Sequence, residues 1–250
     1  MNIAGWPFTA IVVGDVTSGA PGRLTLDVTA PVEADARAVL EYGLYAWSEL
    51  GQCGGWGGDV LAPTSVRAEL AGPALAAGTA SRFTWDFKSL AIDPRSAAGL
   101  FNTIEFALRT GVSRAYLQGT GSQEPAQQIA RDELPPLWPR LTYSLDDDRT
   151  GPHVEAVVTF DEGADNLEQA VEALQVWLDA GAVQTYRDPD VSSELGFLLP
   201  EGVEGWELDG NEATVFIEDT GALEGAWDAL ANVVQAVHQS VAPVRSVQIL

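Results

Sequence analysis

Trp47-Ser48-Glu49-Leu50-Gly51 and Trp177-Leu178-Asp179-Ala180-Gly181 each close a helix-like stretch, and they lie 130 positions apart. Working outward, Trp6-Pro7 and Trp138-Pro139 each precede an apolar strand-like run, a turn, a second strand and a long amphipathic helix. At the far ends, Val112-Ser113-Arg114-Ala115-Tyr116-Leu117 stands 132 positions before Val244-Arg245-Ser246-Val247-Gln248-Ile249. Three anchors at nearly one spacing predict a tandem duplication, because repeats announce themselves by self-similarity at a fixed period.

Each unit reads strand, strand, helix, strand, strand, helix, strand. In the first, residues 10–16 and 23–29 read as strands and are expected to form a hairpin around the turn residues Gly19, Pro21 and Gly22. Residues 34–50 put Ala36, Leu40, Leu44 and Trp47 on one helical stripe, with Gly51 as the stop. Strands over 66–70 and 82–90, a helix over 96–109 ended by Gly111, and a strand over 112–117 complete it. In the second unit, residues 141–145 and 154–160 flank an acidic turn, and Leu167, Val171, Leu174 and Trp177 or Leu178 form the first helical stripe, capped by Asp165 or Asn166. Asp209-Gly210 joins strands 206–208 and 213–217 as a tight hairpin, and Leu230, Val234 and Val237 mark the last helix, which Pro243 ends. The predicted fold class is α+β: a tandem duplication of a ferredoxin-like, split βαβ unit with an extra N-terminal hairpin strand. Each unit places two helices on one face of a mostly antiparallel sheet. The units span 1–118 and 138–250, and 119–137, without a sustained period, reads as a linker.

Charge divides the chain along the same line. The 250 residues hold 36 acidic and 13 basic side chains, for a net charge of −23. Such a balance argues against nucleic acid as a partner, since phosphates need a basic face. Residues 6–118 are near neutral at −3, the linker contributes −2, and residues 138–250 carry −18. Salt adaptation would act on both copies alike, so one acidic copy beside a near-neutral one points to a specialised surface. An apolar content of 46% predicts a packed core. A lone cysteine, Cys53, rules out an intrachain disulfide, and the apolar run 9–13 is too short for a signal core or a membrane span. A cytoplasmic protein without membrane association is expected.

Two acidic clusters stand out. Glu201, Glu204, Glu207, Asp209 and Glu212 surround Trp206 at a strand edge, the composition of an aromatic anchor ringed by steering carboxylates. Asp146, Asp147 and Asp148 fall in the expected hairpin turn; they lack the spaced ligands and distal Glu of a calcium loop, so they read as an acidic rim and no metal is expected. The glycine-rich stretch 51–59 carries Cys53 and Trp56 as loop candidates, but has neither a P-loop lysine nor a base positioned for a cysteine nucleophile. His238 lies at the edge of its helical stripe. No zinc, hydrolase or nucleotide motif is present, and no cofactor is expected.

The charge favours a non-catalytic acidic protein, an immunity-type inhibitor or adaptor in the manner of a bacterial immunity protein, docking on a basic protein through its second unit. As an alternative, the chain resembles in element order the dimeric α/β-barrel proteins with two fused ferredoxin-like units, a group that includes chlorite-dismutase-like haem proteins and small-molecule monooxygenases. That resemblance implies a sheet-lined cavity for haem or a small molecule, with His238 as axial ligand.

Overall fold

A computed structural model describes residues 6–52, 67–70, 82–92, 94–119, 127–128, 146–147, 151–187, 197–201, 205–220 and 224–250. Among these residues the fold is mixed α+β, with two sheets and four α-helices. The first sheet holds β1 (Thr9–Val13), β2 (Ala20–Val28), β3 (Arg67–Leu70), β4 (Arg82–Ala91), β5 (Val112–Gly119) and β6 (Gln127–Gln128), in the order β3-β4-β2-β5-β1-β6. The second holds β7 (Asp146–Asp147), β8 (His153–Phe160), β9 (Leu198–Pro200), β10 (Glu207–Asp209), β11 (Glu212–Asp219) and β12 (Val244–Ile249). Its order is β10-β11-β8-β12-β7, with β9 also pairing with β11. Helices α1 (Ala34–Gln52) and α2 (Pro94–Leu108) belong to the first half, α3 (Leu167–Ala182) and α4 (Glu224–Ser240) to the second.

Alternation decides which side of each sheet is covered, because successive strand residues point to opposite faces. Leu24, Leu26 and Val28 of β2 are buried, as are Val154, Ala156, Val158 and Phe160 of β8, while the residues between them face outward. The helices lie on the buried side. Leu40, Leu44, Trp47 and Leu50 recur at spacings of three and four and form the apolar stripe of α1. The indole N–H of Trp47 donates to the Ser96 carbonyl at the start of α2, 2.8 Å away, and that of Trp177 on α3 donates to the Ala226 carbonyl at the start of α4, 2.6 Å away. The strands also match in register: Val28 pairs with Val112 and Phe160 with Val244, and both pairings slip at that point.

Between the halves, helices meet helices. α1 packs on α3, and Gly43 of α1 leaves room for Thr103 of α2, whose methyl would lie 2.4 Å from an added Cβ. At the rim of this contact Tyr42 faces Asp179; burial, then the Asp179 charge and hydrogen bond, push its phenol up to about 12 and keep it a neutral donor. The turn after α3 crosses to α2, where Asn102 accepts the Trp6 indole N–H at 3.1 Å and donates to the Thr185 and Arg187 carbonyls at 3.3 Å each. Arg187, 2% exposed, forms an ion pair with Glu105, and Phe106 meets the edge of Phe197 at 5.5 Å. Helix-to-helix contact therefore leaves the other face of each sheet outward.

The expected N-terminal hairpin does not form. β1 runs parallel to β5, which lies between β1 and β2, and β7 likewise runs parallel to β12 without pairing with β8. The connection 14–19 passes over the end of β5 at Gly119, where an added Cβ would lie 1.7 Å from the Asp15 carbonyl oxygen. A turn-rich sequence between two strands therefore spans an inserted strand instead of closing a tight turn. Part of the expected linker joins the first sheet as β6, antiparallel to β1. Asn166 stands at the α3 N-cap, but in left-handed backbone (φ 63°) and without a side-chain capping bond. The hairpin expected at Asp209-Gly210 forms one residue later: Asp209 belongs to the strand and pairs with Glu212, and Gly210-Asn211 make the turn, with Gly210 at φ 61° in the first central position, as a type II′ turn requires.

Gly119→Ala is expected to cost about 2 kcal/mol or more, because the clash is with backbone that cannot give way. Gly111→Ala, with nothing within 4 Å of its added Cβ, should stay within about 0.5 kcal/mol. Urea unfolding of the two variants checks both values.

Candidate acidic sheet face

The two outward faces are built on the same plan but carry different charges. On the first sheet, register partners Arg23 and Asp86 form an ion pair at 2.6 Å, and register partners Asp27 and Arg82 another at 2.7 Å. Opposite charges directly across an antiparallel pair stabilise it modestly and neutralise one another. Arg23 and Arg82 are each held above the ordinary arginine value, first by the hydrogen bond to the paired aspartate and then by its charge.

On the second sheet the comparable pairings between β8 and β11 are Glu155 with Phe216, Val157 with Thr214, Thr159 with Glu212, and His153 with Glu218. Arg245, at the slip in β12, is the only Lys or Arg on β8 to β12. Phe216 is 52% exposed, although its strand neighbours Val215 and Ile217 are buried. Leu250, 45% exposed, exchanges backbone hydrogen bonds of 3.0 and 2.8 Å with Glu155, which brings it beside the same face. The Glu201 amide donates to the Phe216 carbonyl at 2.7 Å. Through its carboxylate Glu201 accepts a hydrogen bond from His153 Nδ1 at 2.5 Å. That bond, then the Glu201 charge, raises the His153 pKa above its ordinary value.

Several of the residues singled out in the sequence come together here. Glu207 pairs with Thr214 and Asp209 with Glu212, so both share the outward side with Glu212, while Glu201 joins it from the end of β9. Trp206 does not serve as the exposed anchor. It is 7% exposed, lies 6.2 Å from Trp177, and its amide donates to Gln175 Oε1 at 3.2 Å, which makes it part of the α3 packing. Burial of a large ring outweighs its acidic neighbourhood, since the carboxylates around it alternate outward. Asp146 and Asp147 form β7 and not a hairpin turn, on the sheet edge opposite β10. Glu204, Asp148, Cys53 and Trp56 lie outside the described residues. His238 accepts the Val244 amide on Nδ1 at 3.0 Å and so ties α4 to β12. Among the described residues no group of three or more His, Cys, Asp or Glu could hold a metal ion, and no helix is long and apolar enough to cross a membrane.

Phe216, Glu155, Glu218 and Leu250 had not been singled out. The available signal was parity: in Ala213-Thr214-Val215-Phe216-Ile217 the phenylalanine sits with the polar residues.

No family model and no curated protein matches the chain. Among solved structures, a ferredoxin protease FusC mutant in complex with Arabidopsis ferredoxin aligns at 11% identity over 92% of this chain and 34% of that one, with a TM-score of 0.19. The chain thus spans about a third of that protein's length.

Two outcomes are expected. Trp206→Ala should cost about 3–5 kcal/mol in urea unfolding, as for a core ring, and Phe216→Ser should stay within about 0.5 kcal/mol. The raised His153 pKa means that its contribution to stability is full below the ordinary value and is lost as pH rises through the raised one. Glu201→Gln should therefore bring the His153 titration, followed by NMR, down toward the ordinary value; an unshifted titration contradicts the pairing.

Proposed function

We propose that the chain is a tandem duplication of a ferredoxin-like unit, acting in the cytoplasm as a non-catalytic acidic binding protein. In this reading it is an immunity-type inhibitor or an adaptor, and its second unit docks on a basic protein. The duplication is supported by the repeated Trp-to-carbonyl bonds, the shared register slip, and the strand orders β3-β4-β2-β5 and β10-β11-β8-β12, which follow one sequence of elements.

The function rests on one observation: the outward carboxylates of the first sheet are matched by arginines across the strand, whereas those of the second face glutamate, phenylalanine, threonine or histidine. Unmatched carboxylates raise the local negative potential, which speeds encounter with a cationic partner and orients it. Helix-to-helix packing of α1 on α3 weighs against the fused-barrel alternative, in which sheets face a shared cavity, and the engagement of His238 with Val244 does not favour an axial-ligand role.

Affinity isolation from native lysate, at low and at moderate salt, is the direct test. A basic protein should be recovered at low salt and lost progressively as salt rises, because charges on an open face are screened within about 8–10 Å. Recovery of no basic protein at either salt contradicts the proposal.

A further inference from the structure

The two outward faces can be compared position by position, and the difference is specific. Arg23 of β2 lies opposite Asp86 of β4; the positions that correspond, 132 and 130 residues later, hold Glu155 of β8 opposite Phe216 of β11. Asp27 lies opposite Arg82, and by the same spacings Thr159 lies opposite Glu212. Arg23 and Arg82, the two arginines paired across β2 and β4, thus correspond to glutamates on the other face, and an aspartate has become an exposed aromatic ring. Drift of surface charge alone would not be expected to reverse both of these paired cationic positions and also expose a phenylalanine between buried strand neighbours.

We propose that the outward face of the second sheet is a docking surface for a basic protein whose arginine side chains take the places that Arg23 and Arg82 hold on the first sheet. One arginine pairs with Glu155 and lies against the Phe216 ring; the other pairs with Glu212 beside Thr159. The two sites are four residues apart along β8, or roughly 13 Å at the rise of an extended strand. Arginine fits better than lysine here, since its planar guanidinium forks onto a carboxylate and stacks on an aromatic face at the same time. Glu201, Glu207, Asp209 and Glu218 extend the negative field around these two sites, and Leu250 adds apolar area beside Glu155.

The inference rests on the acidic-binding reading above and makes it more specific, so its test separates the two. The double variant Glu155→Arg/Phe216→Asp rebuilds on the second sheet the pair that the first sheet already carries, and should fold for that reason. Glu168→Gln, on the exposed side of α3, changes the net charge by the same amount away from the face. The probe is a labelled amphipathic peptide of alternating arginine and leucine, followed by fluorescence anisotropy on the full chain at about 50 mM salt.

The double variant is expected to weaken binding roughly tenfold and Glu168→Gln less than about twofold. Replacing the peptide's arginines by lysines should weaken binding to the unaltered chain several-fold. If the double variant does not fold, Phe216→Ser takes its place, with a loss of several-fold expected. Equal affinities for the double variant and Glu168→Gln overturn the site but leave the acidic-binding reading standing. No binding of the peptide to the unaltered chain overturns both.

Discussion

A tryptophan on the first helix of each half gives its indole N–H to the opening carbonyl of the second helix, Trp47 to Ser96 and Trp177 to Ala226. A buried indole left without an acceptor would cost about 1–3 kcal/mol, so the bond holds the two helices of a half at a fixed offset while the ring fills the space beneath them. Trp47 meets Phe87 of the sheet edge-on at 5.9 Å, and Trp177 lies 5.4 Å from Trp227, so the same ring that joins the helices also contributes to the packing below. With both helical layers fixed in this way, α1 can lie on α3 and the turn after α3 can reach Asn102 and Glu105.

The remaining features follow from which faces are then covered. Helices buried between the halves leave each sheet with one apolar and one outward face, and the outward face is free to carry charge without disturbing the core. In the first half Arg23 and Arg82 are matched with cross-strand aspartates. In the second half the same architecture carries glutamates and an exposed Phe216, with His153 as the acceptor-matched exception beside Glu201. Structural stability and surface chemistry are thereby separated: the tryptophans and the helical interface serve the first, and the parity of β8 and β11 sets the second.

Much of this was legible in the sequence because it is local or periodic. The helical stripes over α1 and α3, the alternation in β2 and β8, and the Asp209-Gly210 turn all declare themselves within a dozen residues. The partner chosen by β1 did not, since residues 14–19 look like turn residues whether they close a hairpin or pass over the end of β5 at Gly119. Trp206 was placed on the surface because acidic residues surround it in sequence, whereas burial is decided by which side of the strand faces α3. Phe216 was overlooked for the converse reason: it lies within an apolar run that hides its shared parity with Thr214, and the pairing with Glu155 shows that it faces outward. The meeting of helix with helix between the halves depends on contacts such as Asn102 with Thr185 and Arg187, more than 80 residues apart in sequence, and no local pattern encodes them.

The central claim is that, among the described residues, Glu155 and Glu212 on the second outward face have no arginine across the strand, whereas Asp27 and Asp86 on the first do. Carbodiimide labelling of carboxyl groups with a neutral amine, resolved residue by residue by mass spectrometry, measures this on the folded chain. Glu155 and Glu212 should label faster, relative to their accessible area, than Asp27 and Asp86, whose oxygens are engaged by Arg82 and Arg23. Equal area-corrected rates on the two faces would contradict the account.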